Sequence, residues 1–399
     1  MKIQFEKNPE QIELIKALAS ENKTVAMQAQ EAFAAFISDV VLQVLLQAGT
    51  ASMIYRDIEF DEDDSPSIPL DLYYGQGEGT ISVWSQTVGG GLPSNLQQGL
   101  QEMKLNTYRL DSAISMEKRY VRRARLDVVA AGLERMANEL LVKQERNAWA
   151  VILKALAEAS TAQNSGGTVL NHVVTSASTL ANGGTAGSFD IDTLNKLWTR
   201  VRRINAAYTG GTPLNLQARG LTDLFVSPEI KEQIRGFAYQ PMNTRGAGGG
   251  AAVAATSGVL GLPNSVREEI FRGSGTQEIF GVTIHELLEL GAGRKYNSLF
   301  ATFASAKGST YYSDAANSLN GVTGAQFSAN ASTNQIIVGV DATRNAFLRP
   351  VAIQSESRGQ VKVLPDDQFL ARSQKVGFYS YVEEGRVCTD ARGVVGVII

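Results

Sequence analysis

Between Ser94 and Thr212 the chain contains no proline, and between Leu100 and Ser165 its only glycine is Gly132. Proline breaks helices and glycine weakens them, so a run this long without them favours one extended helix. Leu126, Val129, Leu133, Met136 and Leu140, then Ala148, Ile152 and Leu156, recur at helical spacing and draw one apolar stripe. Ser112 or Ser115 supplies a side chain suited to capping the start. The pattern predicts a helix over Asp111–Ala159. At about 1.5 Å of rise per residue it would be about 70 Å long, longer than a small domain is wide. Such a helix serves as a spine on which other layers are hung.

Other elements flank it. Pro9–Ala48 reads as helix, with Ile12, Ile15 and Leu18 and then Phe33, Phe36, Ile37, Val40, Val41, Val44 and Leu45 on apolar faces. Asn8-Pro9 suits its start and Gly49 its stop. From Ile54 to Leu105 the chain is β-rich and extended. Ile54, Ile58 and Phe60, then Ile68, Leu70, Leu72 and Tyr74, alternate with polar residues, and glycines at 75, 77, 79 and 89–91 supply turns. An isolated hairpin is marginally stable in water, so an excursion of this length persists best by lying on a neighbouring molecule.

Beyond the spine, helices are predicted over Asp192–Ala207 and Glu229–Phe237. Strands are predicted over Leu221–Val226, Glu278–Leu288, Ser298–Ala304, Ile336–Val340, Phe347–Ile353 and Gly359–Val363. Val376–Val382 and Arg386–Ile399 read as a hairpin turning at Glu384-Gly385. The Gly/Ala-rich stretch Arg245–Gly261 reads as a surface loop. No repeat of fixed period is present.

The 399 residues allow two or three domains, and 44% hydrophobic with 19% charged content suits folded cores. A net charge of −3 argues against a protein whose main task is to coat nucleic acid. Cys388 is the only cysteine, so no intrachain disulfide can form; it reads as a small residue on a late strand. The charged, helically spaced Met1–Ser20 is unlike a signal peptide, and no apolar run is long enough for a membrane span. A soluble protein made in a cytoplasm is expected, with no membrane contact.

Familiar chemistry is missing. His172 and His285 are the only histidines. His285-Glu286 begins like a zinc-protease helix, but Glu289 stands where the second histidine belongs, and the local alternation is that of a strand. There is no phosphate-binding G-x-x-x-x-G-K-[ST] loop and no G-x-S-x-G elbow. The glycines of 246–251 fit the loosest dinucleotide pattern but lack a preceding strand and a following acidic residue. No cofactor, metal or catalytic residue is expected.

Two charge clusters stand out. Asp57, Glu59, Asp61, Glu62, Asp63 and Asp64 form an acidic run. It suits a divalent cation, or a solvated strand edge kept from aggregating by charge. Lys118, Arg119, Arg122, Arg123 and Arg125 crowd the predicted first turns of the spine. They read either as an exposed helix face or as the counterpart of the acidic run on another subunit. Complementarity of that kind sets register and partner choice more than affinity. DNA contact is a weaker reading, since no aromatic residues interleave.

The order of parts resembles the major capsid proteins of tailed bacteriophages with the HK97 fold. Tyr108-Arg109-Leu110-Asp111-Ser112-Ala113-Ile114-Ser115 marks the entry to the spine. Leu133-Glu134-Arg135-Met136-Ala137-Asn138-Glu139-Leu140 and Lys143-Gln144-Glu145-Arg146-Asn147-Ala148 lie within it. Asp192-Thr193-Leu194, Leu224-Phe225-Val226-Ser227-Pro228-Glu229, Ser373-Gln374-Lys375-Val376-Gly377-Phe378-Tyr379, Gly385 and Asp390-Ala391-Arg392 complete the likeness.

The resemblance implies an α+β, HK97-like capsid fold. Its parts would be an N-terminal arm at 1–50, an extended E-loop at 51–110, the spine helix of a P-domain at 111–165, a mixed α/β A-domain at 166–345, and C-terminal strands returning to the P-domain at 346–399. It implies a subunit that assembles into hexamers and pentamers of an icosahedral phage head. Such a head encloses double-stranded DNA without sequence-specific binding and is assembled in the host bacterial cytoplasm. A scaffolding protein, a portal and a decoration protein would be its partners. Some members crosslink neighbours through an E-loop lysine; this chain has no lysine between Ile54 and Met103, so no such bond is expected. The alternatives are an encapsulin-like compartment shell, a metabolic α/β enzyme, and a tail or baseplate protein.

Overall fold

A computed structural model of the chain describes residues 9–20, 22–61, 64–69, 102–123, 126–159, 172–175, 189, 191–206, 220–239, 277–307, 334–353, 360–366 and 375–399. In chain order they form α1 (Pro9–Leu18), α2 (Lys23–Ala48), β1 (Tyr55–Asp61), β2 (Ser67–Pro69), β3 (Glu102–Lys104), β4 (Thr107–Glu117), the short α3 (Lys118–Arg122) and α4 (Leu126–Ala159). Then come β5 (Val173–Thr175), α5 (Ile191–Ala206), β6 (Asp223–Val226), α6 (Pro228–Tyr239), β7 (Gln277–Ile279), β8 (Val282–Glu286), α7 (Lys295–Lys307) and β9 (Ile336–Val340). The chain closes with β10 (Phe347–Ile353), β11 (Lys362–Asp366), β12 (Lys375–Gly385), β13 (Val387–Cys388) and β14 (Val394–Ile398). These residues sort into two compact units. The first takes those within Met1–Ile68, Glu102–Ala148 and Phe347–Val387, and the second those within Pro69–Gln101, Trp149–Ala346 and Cys388–Ile399.

The first unit is built around β12. It runs antiparallel to β4 over the full length of both, from Thr107↔Gly385 to Glu117↔Lys375. It also pairs with β11, and at Val351↔Glu384 with β10, which carries β1 in parallel register. Strand alternation sends Leu110 and Met116, and on β12 Val376, Phe378 and Val382, into one core. Against it pack Ile15 and Leu18 of α1, Phe33 and Ile37 of α2, and Leu133, Met136 and Leu140 of α4. The rings of Phe33 and Phe378 lie 5.4 Å apart. At Gly132 α4 lies close to β4: a Cβ there would sit 2.8 Å from Ile114 Cδ1.

The second unit has a six-stranded sheet in the order β5-β14-β9-β6-β8-β7. All five residues of β9 and of β14 are buried, the pattern of central strands covered on both faces. Leu194, Leu197, Val201 and Ile204 of α5 and Ile230 and Ile234 of α6 supply apolar stripes at helical spacing to that core. Trp149, fully buried, meets Phe225 edge-on at 4.9 Å and stacks on Tyr296 at 5.8 Å.

Several expectations change. The spine starts later than Asp111: Thr107–Glu117 is strand β4, and the long helix is the 34 residues Leu126–Ala159, about 50 Å of rise. Ser112 and Ser115 lie on the strand and cap no helix. The run lacks helix breakers, but Leu110, Ile114 and Met116 sit at even spacing with polar or small neighbours, and pairing with β12 decides the matter. Pro9–Ala48 is two helices, parted where Asn22 Oδ1 accepts the Thr24 N–H at 3.2 Å as an N-cap. Ser298–Ala304 is not a strand but part of α7, whose buried Tyr296, Phe300, Ala301 and Ala304 fall at helical intervals.

The C-terminal hairpin is also absent. β14 joins β9 antiparallel and β5 in parallel, so 388–399 belongs to the second unit and only Phe347–Val387 to the first. The divergence begins at a 3-10 turn, Ala391–Gly393, where Asp390 accepts the Arg392 N–H at 3.0 Å.

Candidate functional site

The expected charge clusters both fall in the first unit. On β1, Asp57, Glu59 and Asp61 are all exposed. Asp57 is drawn inward electrostatically, with Arg349 Nη1 at 3.3 Å from its Oδ2. Asp64 follows in a turn closed by its own N–H to Asp61 O at 2.8 Å. Glu62 and Asp63 lie outside the described residues. Lys118 and Arg119 open α3, Arg119 Nε lies 2.6 Å from Glu117 Oε2, and Arg123 is exposed just after the helix. Arg122 closes α3, and Arg125 lies outside the described residues. Within one chain Arg119 of the basic cluster pairs with Glu117, and Asp57 of the acidic run pairs with Arg349.

A second group, which no sequence motif marks, is buried. Glu384, at the end of β12, has no exposed surface. Its carboxylate accepts from Arg349 Nε at 2.7 Å, Gln144 Nε2 at 3.1 Å, Tyr108 Oη at 3.1 Å and Arg386 Nη2 at 3.2 Å. These partners come from β10, α4, β4 and the residue beyond β12. Burial, with the negative charge of Glu384 beside it, pushes the Tyr108 phenol up to about 12. Near this cluster Glu145 of α4 accepts from Thr50 Oγ1 at 2.8 Å and from the Ala51 N–H at 3.0 Å, capping the 3-10 turn Ala51–Met53. Tyr55 Oη donates to Ala148 O at 2.9 Å. Strand β1 is thereby pinned to helix α4.

In the second unit the two histidines have structural partners. His285, on strand β8, has Nε2 2.9 Å from Asp223 Oδ1, and Thr222 Oγ1 donates to Asp223 Oδ2 at 2.7 Å. Burial would raise the Asp223 pKa, but these hydrogen bonds hold it below its ordinary value. His172 is buried, with Nδ1 2.8 Å from Val394 O, and desolvation pushes its pKa down to about 4. Cys388 is a free thiol whose pKa desolvation raises to about 12, which leaves it protonated and a poor nucleophile. Among the described residues, no group of three or more His, Cys, Asp and Glu can hold a metal ion, and no helix is long and apolar enough to cross a membrane.

No family model matches the chain, and none of the curated proteins does. Solved structures do resemble it. The capsid of the cyanophage P-SCSP1u shares 14% identity over 86% of this chain and 86% of that one, at a TM-score of 0.48. The mature capsid of bacteriophage PhiM1 shares 10% identity over 88% and 86%, at a TM-score of 0.45. A virus-like particle from Pyrococcus furiosus shares 10% over 92% and 99%, at a TM-score of 0.40.

Proposed function

We propose that the chain is a structural subunit of a protein shell, the major capsid protein of a tailed-phage head of the HK97 type, and that it is not an enzyme. The observation that carries this reading is the order of parts. Two N-terminal helices lead into a charged strand, β1, and then into the mutually paired strands β2 and β3. A 34-residue helix then supplies Leu133, Met136 and Leu140 to one core and Ile152, Leu153 and Leu156 to surroundings in a second, α/β unit. A subunit that must tile a surface needs such long elements and several separate contact regions; a compact single-site protein does not.

In this reading the first unit is the P-domain, the E-loop falls within 51–110 between β1 and β4, and the second unit is the A-domain. Copies close into hexamers and pentamers around double-stranded DNA, in a virion assembled in the host cytoplasm. A slightly acidic subunit suits a container that does not grip its genome. A separate scaffolding protein, a portal and a decoration protein would be its partners. With no lysine between Ile54 and Met103, the shell would rest on non-covalent contacts.

The test is negative-stain electron microscopy of the purified chain, with size-exclusion chromatography beside it, alone and co-expressed with its neighbouring genes. Closed shells, tubes or ring-shaped capsomers are expected. A monomer or dimer under every one of these conditions would overturn the reading. Shells that enclose an enzyme instead of DNA would make the chain a compartment protein.

A further inference from the structure

Strand β4 closes one side of the first unit's sheet. It pairs with β12 residue for residue from Thr107 to Glu117, without a bulge, and the other side of β12 takes β11 and β10. Among the described residues, no further backbone hydrogen bond joins β4 to another strand or loop. Its outer edge is therefore a row of main-chain donors and acceptors about 35 Å long. Such an edge is a template for pairing with another chain unless something blunts it.

The other sheet edges among the described residues are blunted by brevity, charge or proline. β11 has five residues and carries Lys362 and Pro365. β1 carries Arg56, Asp57, Glu59 and Asp61 within seven residues. β5 and β7, at the two ends of the second unit's sheet, have three residues each. β4 has eleven, with no proline and no charge from Ser112 to Met116. Ala113 and Ser115 within that stretch are exposed.

The strand is also complementary to itself. A second β4 laid antiparallel about a two-fold axis perpendicular to the sheet keeps the helix-covered faces of both copies on one side. Residues of equal parity then oppose each other. Centred on Ala113, this pairing sets Arg109 opposite Glu117, Asp111 opposite Ser115 and Leu110 opposite Met116. Opposite charges across a ladder stabilise it and like charges destabilise it. Centring on Asp111 would set that carboxylate against itself, and centring on Ser112 would match no charges. Within the chain Arg109 pairs with Asp111 at 2.7 Å and Glu117 with Arg119 at 2.6 Å, all four side chains being at least 45% exposed. Pairs so well solvated are cheap to share with a new partner. We propose that β4 is a docking edge for a second copy of this chain, joined as an antiparallel β4–β4 ladder centred on Ala113.

The pairing goes beyond the shell reading and does not need it. A two-fold contact is isologous, whereas contacts around a ring of five or six copies are heterologous. In a shell, the ladder would therefore tie together copies of neighbouring rings.

The test places a cysteine at the axis. Opposed residues of an antiparallel pair have Cα atoms about 4.5–5.5 Å apart, within reach of a disulfide. The full-length A113C variant, treated with diamide, should give a disulfide-linked dimer on a non-reducing gel, free in concentrated solution or within shells. Wild type, whose Cys388 is desolvated and protonated, supplies the background. D111C and S115C each lie about 13 Å or more from their own counterparts and should give no dimer singly, but should crosslink when mixed. Adding Arg109→Glu to A113C should lower the dimer yield roughly tenfold, since it opposes like charges twice across the axis; adding Glu117→Arg as well should restore it. Absence of an A113C dimer above background in both solution and shells overturns the proposal, as does equal crosslinking by D111C or S115C alone. Shells without the A113C dimer would leave the shell reading standing, and the dimer without shells would leave the ladder standing.

Discussion

Glu384 Oε2 lies 2.7 Å from Arg349 Nε, and neither side chain has more than a tenth or so of its surface in water: 0% and 11% are exposed. The pair joins β12 to β10, while Gln144 and Tyr108 add α4 and β4 to the same carboxylate. Removing one partner of a buried pair leaves the other charged and uncompensated, at a cost of about 3–5 kcal/mol. Glu384→Ala strands two arginines at once and should fall at the upper end. Urea denaturation of the unassembled subunit would read it; a loss below about 1 kcal/mol would mean that water already enters the cluster.

His172 should make the second unit acid-sensitive. Its pKa is about 4 in the folded chain against 6.5 for an ordinary histidine, chiefly because burial penalises the imidazolium. The unfolded chain therefore binds the proton first as pH falls. Above pH 6.5 the residue contributes no pH dependence. Between there and pH 4 stability drops, by about 3 kcal/mol at most. His172→Phe should flatten the stability–pH curve in that window and leave it unchanged at pH 8. An unchanged acid slope would show that His172 is hydrated in solution.

What the sequence revealed, and what it hid, follows from the range of the interactions. Helices α5 and α6 and strands β9 and β10 were legible because their burial patterns are local: Leu194, Leu197, Val201 and Ile204 announce a helix by spacing alone. β4 was hidden because no breaker separates it from α4, and its strand form depends on β12, some 270 residues away. α7 was misread because Phe300, Thr302 and Phe303 have strong strand propensity, which burial of one helical face overrides. The Glu384 cluster unites residues 108, 144, 349, 384 and 386, and no motif spans such gaps. Its faint signal was an arginine and two glutamates inside otherwise apolar strands. The charge clusters were legible as composition, but Asp57 turned out to serve Arg349, which only the fold brings beside it.

Two glycines should respond in opposite ways to the same change. At Gly385 a Cβ would sit 2.7 Å from the Asn106 carbonyl oxygen and 2.9 Å from Pro350 Cγ, neither of which can move freely. Gly385→Ala should cost about 1–3 kcal/mol through overpacking. At Gly132 the obstruction is the terminal Cδ1 of Ile114 at 2.8 Å, which can rotate away, and alanine in a helix gains about 1 kcal/mol over glycine. Gly132→Ala should lie within about 1 kcal/mol of wild type. Urea midpoints of the two variants would separate rigid from yielding contacts; equal losses would mean that α4 cannot shift against β4.

If copies of the chain meet through their charge clusters, reversal should be reciprocal. Glu59 and Asp61 are exposed on β1, and Arg119 and Arg123 are exposed at α3. Changing Glu59 and Asp61 to Lys, or Arg119 and Arg123 to Glu, should leave the urea midpoint of the unassembled subunit near wild type, because exposed charges contribute little to folding. Either change places like charges across the contact, and shell yield by electron microscopy should fall at least about tenfold, since like-charge juxtaposition costs several kcal/mol. The chain carrying all four reversals restores opposite signs and should assemble again. Assembly of the wild type should weaken with added salt, because exposed charges are screened beyond about 10 Å at 0.1 M. Normal shells from either two-site variant would remove the acidic run and the basic cluster from the interface. Failure of all three variants would point to one cluster acting through a different partner, with the other serving only to keep its surface soluble.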